Sequence, residues 1–283
     1  RLQQLYPHLK TRFVACASTG DTSASAAIYT AYVKDRLKCL VFLPHEKISS
    51  GQLFQALSHA ALVLSIRHPQ GFDGCMKLIQ EYCALHPEIV LVNSKNDLRI
   101  VGQESIALEI CQDLRWRVPD WISIPCGNGG NLTALLVSLL RMKQRKMINS
   151  LPGIIVAQTK GANTLVRWAK SNFKIYKPDV FQNTIASAMN IQNPVSFPRI
   201  EKFYKNFSLK FFDVSEDNIQ KTRALFMGAG ANICPQSAVA LDAVLQAKEN
   251  GVVKEKDLII SISTASGIKF SESGIKYHFD GNS

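Results

Sequence analysis

The sequence predicts an α/β protein with two open, mostly parallel sheets flanked by helices. Short apolar runs alternate with longer stretches in which apolar residues recur three and four positions apart, which is the pattern of a strand–helix series. The short runs are apolar on both faces, as in a parallel sheet that helices cover on both sides. A chain of 283 residues with 46% hydrophobic content is long enough to bury such a core.

The pattern assigns each segment in turn. Strands are predicted at residues 13–17, 39–43, 61–66, 89–92, 121–124, 154–157, 209–214 and 258–262. Helices are predicted at residues 22–33, 50–57, 72–85, 98–114, 132–142, 164–169, 216–227 and 237–249. Residues 166–198 contain three Xaa-Pro pairs and little periodicity, which predicts a loop-rich insertion. Pro119 marks a soft boundary, so we expect one lobe at residues 1–115 and a second at 116–283.

The composition excludes several classes of protein. The net charge is +11, but the Lys and Arg residues are dispersed and form no nucleic-acid-binding motif, so the charge favours small anionic ligands. Seven cysteines without CxxC pairs or nearby His clusters argue against a metal site and a disulfide framework. No uninterrupted apolar run of about 18 residues is present, so we expect no membrane segment. A cytoplasmic location is the simplest expectation, or a plastid one in a plant-type organism.

A glycine-rich turn is the first candidate site. Residues 127–131, GNGGN, lie between a predicted strand and a predicted helix. Glycines there let the backbone approach an anion, and the helix dipole favours negative charge, so the turn suits a phosphate. It matches neither the Walker loop nor GxGxxG. A purely structural tight turn is the alternative at this point.

Three further segments carry polar groups at predicted strand ends. Residues 18–23, STGDTS, could bind a carboxylate or phosphate at a helix N-terminus, or simply cap that helix. Residues 263–267, STASG, follow the last strand, where parallel sheets bind ligands, and a helix cap is again the alternative. Asn93 and Ser94 end a strand and Arg99 lies in the next helix; Arg99 could bind phosphate or be a solvated helix residue.

Taken together, these segments resemble those of the threonine synthases, a family of type II enzymes that use pyridoxal 5′-phosphate. Residues 16–24, CASTGDTSA, closely resemble a family segment. Further matches follow in family order at residues 48–49, 72–79, 118–121, 127–131, 186–188, 193–196, 233–235 and 263–265. The resemblance implies the type II fold, as in the tryptophan synthase β subunit. GNxGN alone would indicate only the wider type II group.

The resemblance also implies roles for individual residues. Those expected to bind the cofactor are Asp21, Gly127, Asn128, Gly129, Gly130, Asn131 and Thr264, with Thr264 at the pyridine nitrogen and Asp21 near the phenolic oxygen. Those expected to bind substrate are Ser18, Thr19, Thr22, Asn93, Ser94, Arg99 and Asn131. The implied activity is that of a lyase in threonine biosynthesis, converting O-phospho-L-homoserine and water into L-threonine and phosphate. A homodimer is usual in the family.

The family's Schiff-base lysine has no counterpart in the chain. It is expected in an SFKD-like segment upstream of Arg1, and neither Lys10 nor Lys34 matches that motif, so we expect this chain by itself to be inactive. Gln192 and Ser266 depart from residues usual in the family, so the resemblance does not extend to fine substrate selectivity. Two alternatives stay open: another type II enzyme, such as threonine dehydratase or cysteine synthase, and a non-catalytic anion-binding remnant.

Overall fold

A computed structural model describes residues 12–18, 21–33, 36–45, 50–69, 71–178 and 183–280. The chain divides into two compact units, Arg1–Asn96 and Asp97–Ser283. Each unit contains one four-stranded sheet in which all paired strands are parallel. The predicted α/β fold with two parallel sheets is therefore confirmed.

The first unit has the strand order β3-β2-β1-β4. Its elements are β1 (Phe13–Ala17), α1 (Asp21–Tyr32), β2 (Lys38–Pro44), α2 (Ser50–Ser58), β3 (Leu62–Ile66), α3 (Gly71–Leu85) and β4 (Ile89–Leu91). Alternate strand residues pack on opposite faces: Ala15 and Ala17 contact the cluster that contains Ile79 of α3. Cys16, between them, packs in the cluster that contains Ala27 of α1. This explains why the strands are apolar throughout their length.

The second unit has the strand order β7-β6-β5-β8. Its helices are α4 (Asp97–Gln103), α5 (Ser105–Asp113), α6 (Gly130–Gln144), α7 (Thr164–Lys170), α8 (Phe197–Phe203), α9 (Glu216–Gly228), α10 (Pro235–Glu249) and α11 (Ser271–Phe279). Its strands are β5 (Trp121–Pro125), β6 (Gly153–Thr159), β7 (Leu209–Val214) and β8 (Ile259–Ser261). Helix α6 contributes to the apolar cluster on one face of the sheet and α10 to the cluster on the other.

Residues 98–114, predicted as one helix, form the two helices α4 and α5, which are separated at Glu104. The compact units also divide earlier than the boundary expected near residue 115. The physical reason is packing, because Ala107 and Cys111 of α5 are buried in the same cluster as Leu135 and Leu139 of α6. Periodicity shows that a helix has an apolar face but does not show which partner covers it.

The loop-rich insertion is real but contains two short helical pieces that were not predicted. Residues Ser187–Met189 form a 3₁₀ turn, and α8 begins at Phe197 with Pro198 in its first turn, a position that proline favours. The ring of Tyr176 stacks on that of Phe197, with 3.5 Å between their centroids. Aromatic contacts therefore hold the insertion against α8. No helix in the described part of the chain is long and apolar enough to cross a membrane.

Candidate functional site

The glycine turn between β5 and α6 has a backbone that side chains would obstruct. Gly129 has φ +76°, in the left-handed region that favours glycine. A Cβ atom at Gly127 would lie 2.9 Å from the carbonyl oxygen of Ala188, so only glycine fits that close approach. Gly130 begins α6, and a Cβ there would make only ordinary contacts. The turn therefore exposes backbone N–H groups at the N-terminus of a 15-residue helix, which is a favourable place for an anion.

The last part of the loop-rich insertion contacts the turn on one side. The backbone N–H of Ser196 donates to the carbonyl oxygen of Asn128 at 3.0 Å, and that of Val195 donates to Oδ1 of Asn128 at 3.4 Å. The Asn128 side chain thus has a structural contact in addition to its expected place in the ligand site.

Gln158 makes a hydrogen bond to the residue directly before the glycine turn, a contact that the sequence did not indicate. Its Nε2 donates to the carbonyl oxygen of Cys126 at 3.3 Å, and its Oε1 accepts from the N–H groups of Leu165 and Val166 in the first turn of α7. Burial raises the pKa of the Cys126 thiol to about 12, so this thiol stays neutral and does not act as a nucleophile near neutral pH. The only available sequence signal for Gln158 was a polar residue directly after the predicted strand at residues 154–157, and its complete burial is seen only in the structure.

Thr264 lies at the same sheet edge as the glycine turn. Strand β8 pairs with β5 in parallel, and the N–H of Ile262 extends this pairing by donating to the carbonyl oxygen of Ser123 at 2.9 Å. Strands β5 and β8 therefore both end at the carboxyl edge of the sheet, where open parallel sheets bind ligands. Thr264 is exposed, and its hydroxyl oxygen lies 3.6 Å from the sulfur of Cys234. The structure thus brings residues 127–131 and Thr264 to one edge of one sheet.

Buried polar atoms without a hydrogen-bond partner are concentrated near this edge. Among the described residues they belong to Gln103, Asn131, Thr159 and Gln236, all in the second unit. Oε1 of Gln103 lies 3.8 Å from the position of a Cβ at Gly130, Asn131 belongs to the turn, and Thr159 ends β6. Buried polar groups are normally paired, so this group of atoms indicates a polar ligand or bound water. Gln103, Thr159 and Gln236 were missed by sequence reasoning, because no motif includes them.

Arg99 lies on α4, one helical turn before Gln103, and is half-buried. Residues four apart share a helix face, so Arg99 and Gln103 project from the same side of α4. The start of α4 is fixed to α8 by an ion pair between Asp97 and Arg199. Arg99 thus lies on the same helix as Gln103, the residue next to the glycine turn.

Candidate residues of the first unit gather at the carboxyl edge of its own sheet. Ser18 follows β1 and is buried, and Asp21 and Thr22 begin α1 and are half-buried; Thr19 lies outside the described residues. Asn93 follows β4, the neighbour of β1, and Ser94 comes next and is half-buried.

The side chain of Asn93 is already engaged. Its Oδ1 accepts from the N–H of Ala17 at 2.9 Å, and its Nδ2 donates to the carbonyl oxygen of Ala17 at 2.7 Å. Asn93 therefore holds the end of β1, a structural function that the sequence did not indicate.

Comparison with known proteins gives consistent results. The model of the family described as "Pyridoxal-phosphate dependent enzyme" matches residues 2–265. The chain is 40% identical over 266 residues to threonine synthase 2, chloroplastic, of Arabidopsis thaliana, covering 94% of this chain and 51% of that protein. It is 34% identical to threonine synthase of Mycobacterium tuberculosis, covering 94% of this chain and 70% of that protein.

A similar solved structure is that of threonine synthase from Escherichia coli, with a TM-score of 0.78 and 24% identity, covering 97% of this chain and 63% of that one. This likeness is evidence for the fold. The chain spans about half the length of the Arabidopsis relative, 51%. Together with the geometry of the glycine turn, these matches place the chain in the family of pyridoxal-phosphate dependent enzymes, among the threonine synthases.

Proposed function

We propose that the second unit of this chain binds pyridoxal 5′-phosphate, and that the chain serves the conversion of O-phospho-L-homoserine and water into L-threonine and phosphate. The observation that carries the proposal is that the glycine turn and Thr264 both lie at the carboxyl edge of the same sheet. Two anchors on neighbouring strands suit a ligand with a phosphate at one end and a hydrogen-bonding ring atom at the other.

The residues of the turn fit a phosphate group. Gly127 and Gly129 leave no side chain in the way, and the N-terminus of α6 offers N–H groups without intrahelical acceptors and a favourable dipole. The Asn131 side chain lies at this point with a buried Oδ1 that has no hydrogen-bond partner among the described residues. Rotated about its last bond, the same amide would present two N–H donors to a phosphate.

Thr264 fits the ring nitrogen of the cofactor. Its hydroxyl is exposed at the sheet edge while its backbone is fixed, so it can donate to an unprotonated pyridine nitrogen. A carboxylate in this place would instead favour the protonated ring. When bound, the cofactor supplies an electron sink for carbanions formed next to the substrate's amino group. The residues of this chain would hold and orient it.

The proposed substrate contacts are those that the family resemblance implies. Ser18, Thr19 and Thr22 would bind the amino-acid end of the substrate, and Asp21 would approach the cofactor's phenolic oxygen. The substrate phosphate would contact Thr22, Asn93, Ser94, Arg99 and Asn131. Because Asn93 already binds Ala17, it retains one N–H for this purpose. No residue of this chain is assigned to move protons, and Lys10 and Lys34 lie outside the described residues.

Cofactor binding can be tested without a Schiff-base lysine. Pyridoxine 5′-phosphate has a hydroxymethyl group in place of the aldehyde, so its affinity reports only on non-covalent contacts. We expect calorimetric titration to give saturable binding, and expect pyridoxine without phosphate to bind far more weakly. Equal affinities for the two compounds would contradict a phosphate site at the glycine turn.

The reaction can be tested on a polypeptide that contains this chain and any residues that precede it in its gene. Phosphate release from O-phospho-L-homoserine with formation of threonine supports the proposal. Turnover of serine or threonine without turnover of the phosphorylated substrate would instead indicate threonine dehydratase or cysteine synthase chemistry. Loss of Arg99 should affect only the first reaction.

The proposed setting follows from composition. All seven cysteines are free thiols, and six of them are buried, which supports a reducing compartment such as the cytoplasm or a plastid stroma. We propose a homodimer as the assembly and a small-molecule substrate, with no nucleic-acid partner.

A further inference from the structure

Gln236 is a buried amide whose nitrogen and oxygen both lack a hydrogen-bond partner among the described residues. Its side chain is 5% exposed, and it lies in the first turn of α10. A buried, unpaired amide is costly for the folded protein, which calls for a partner that the described part of the chain does not supply.

The packing of α10 fixes where this amide lies. Gln236 shares a helix face with Val239, Ala240 and Ala243, at spacings of three, four and seven residues, and this face packs against the sheet. The carbonyl oxygen of Ala240 accepts a hydrogen bond from Ser123 of β5, which sets the level of Ala240 along the sheet.

Gln236 is four residues nearer the N-terminus of α10 than Ala240. Four residues of a helix rise about 6 Å, which is close to the distance of about 7 Å that two residues of a strand span. Since Ser237 contacts Thr264 beyond the end of β8, α10 begins at the carboxyl edge of the sheet. Gln236 therefore lies level with Pro125, where β5 ends and the glycine turn begins.

The residues that flank Gln236 contact parts of the candidate site. The next residue, Ser237, accepts a hydrogen bond from the N–H of Thr264 at 3.0 Å. Val239 packs in one cluster with Ala186 and Met189, and the segment that contains them lies against Gly127. The first turn of α10 thus lies between Thr264 and the segment that covers the glycine turn.

We propose that Gln236 is a further ligand-binding residue of this edge, and that its amide hydrogen-bonds polar ring atoms of the molecule held between the glycine turn and Thr264. The inference rests on the proposed function, because it takes that molecule to be a phosphorylated pyridine. An amide is suited to such a ring, since it offers one acceptor and two donors in a plane.

The test replaces Gln236 by Met, a side chain of similar length without hydrogen-bonding atoms. The ligand-free Gln236→Met variant should melt about 2 °C higher than the unaltered chain, because an unpaired amide is removed from the interior. Its affinity for pyridoxine 5′-phosphate should fall roughly tenfold, the effect of losing one or two hydrogen bonds. Its affinity for inorganic phosphate, which fills only the glycine turn, should not change.

Gln246→Met is the matched control, since it makes the same substitution on the same helix. The Gln246 amide is satisfied by the carbonyl oxygen of Asp213 and by Oδ2 of Asp242, so this variant should melt lower and keep the affinity for both probes.

An unchanged affinity of Gln236→Met for pyridoxine 5′-phosphate would overturn the inference. If the melting temperature of this variant were also lower, the amide would instead bind a structural water. An equal loss for inorganic phosphate would overturn the ring assignment. If the unaltered chain binds no pyridoxine 5′-phosphate, the proposed function fails, and this inference fails with it.

Discussion

Ser237 accepts a hydrogen bond from the backbone N–H of Thr264 at 3.0 Å, although 27 residues separate them. The same hydroxyl lies 3.1 Å from the sulfur of Cys234 and 3.3 Å from the hydroxyl of Ser263. The backbone of Thr264 is therefore fixed by buried groups while its hydroxyl remains exposed at the sheet edge. This is the arrangement that a residue needs to present a hydroxyl to a ligand in a defined position.

Replacing Ser237 by Ala should weaken ligand binding through Thr264. The variant leaves the Thr264 N–H unpaired, so we expect a loss of about 1 kcal/mol in unfolding free energy and a several-fold lower affinity for pyridoxine 5′-phosphate. Urea unfolding and calorimetry measure the two effects. Ser263→Ala is the control, because the exposed Ser263 hydroxyl contacts the Ser237 hydroxyl but does not pair with the Thr264 N–H; an equal loss of affinity in both variants would refute a specific role for Ser237.

Gly129→Ala and Gly130→Ala should have opposite effects on stability. Gly129 has φ +76° and its new Cβ would lie 2.6 Å from Cδ1 of Ile200, so we expect a loss of about 1 to 2 kcal/mol. Gly130 is helical with room for a methyl group, so alanine there should be neutral or stabilise by up to about 1 kcal/mol. Thermal unfolding of the ligand-free chains compares them, and a larger loss at Gly130 would contradict the geometry of the turn.

Gln158→Leu should be among the most destabilising single substitutions at this edge. It removes the donor to Cys126 and leaves the N–H groups of Leu165 and Val166 without their acceptor, so we expect about 3 kcal/mol or more of lost unfolding free energy. Gln80→Leu is the control, because the Gln80 amide contacts only Lys95 at the surface. Urea unfolding should give a change within about 0.5 kcal/mol for the control, and similar losses in both would contradict the assignment.

The thiol of Cys126 should make the fold sensitive to alkaline pH. Burial raises its pKa from 9.0 to about 12, so between these values the unfolded thiol ionises while the folded one stays neutral. The unfolded state then binds fewer protons, and stability falls as pH rises, by up to about 1.4 kcal/mol per pH unit for this group.

Unfolding free energies of the unaltered chain and of Cys126→Ala, measured from pH 8 to pH 11, isolate this contribution. The variant should be less stable at pH 8 because of the cavity it creates, but its stability should fall less steeply with pH. Cys39, whose pKa burial raises to about 11, contributes equally to both curves. Parallel curves would show that Cys126 ionises similarly in both states.

The sequence alone determined which segments form strands, because a strand buried on both faces must be apolar along its whole length, as residues 13–17 are. It also determined the glycine turn, since GNGGN after a strand suits few structures other than a close-approach loop. Likewise, the succession of family segments from residue 16 to residue 265 was sufficient to indicate the family.

Tertiary structure decided what sits around these segments. Local patterns do not encode contacts between residues far apart in the chain, so the support of Thr264 by Ser237, of Cys126 by Gln158 and of Ala17 by Asn93 was invisible in the sequence. The same holds for the unpaired amide of Gln236, because whether a polar group has a partner is decided only when helices and strands pack together.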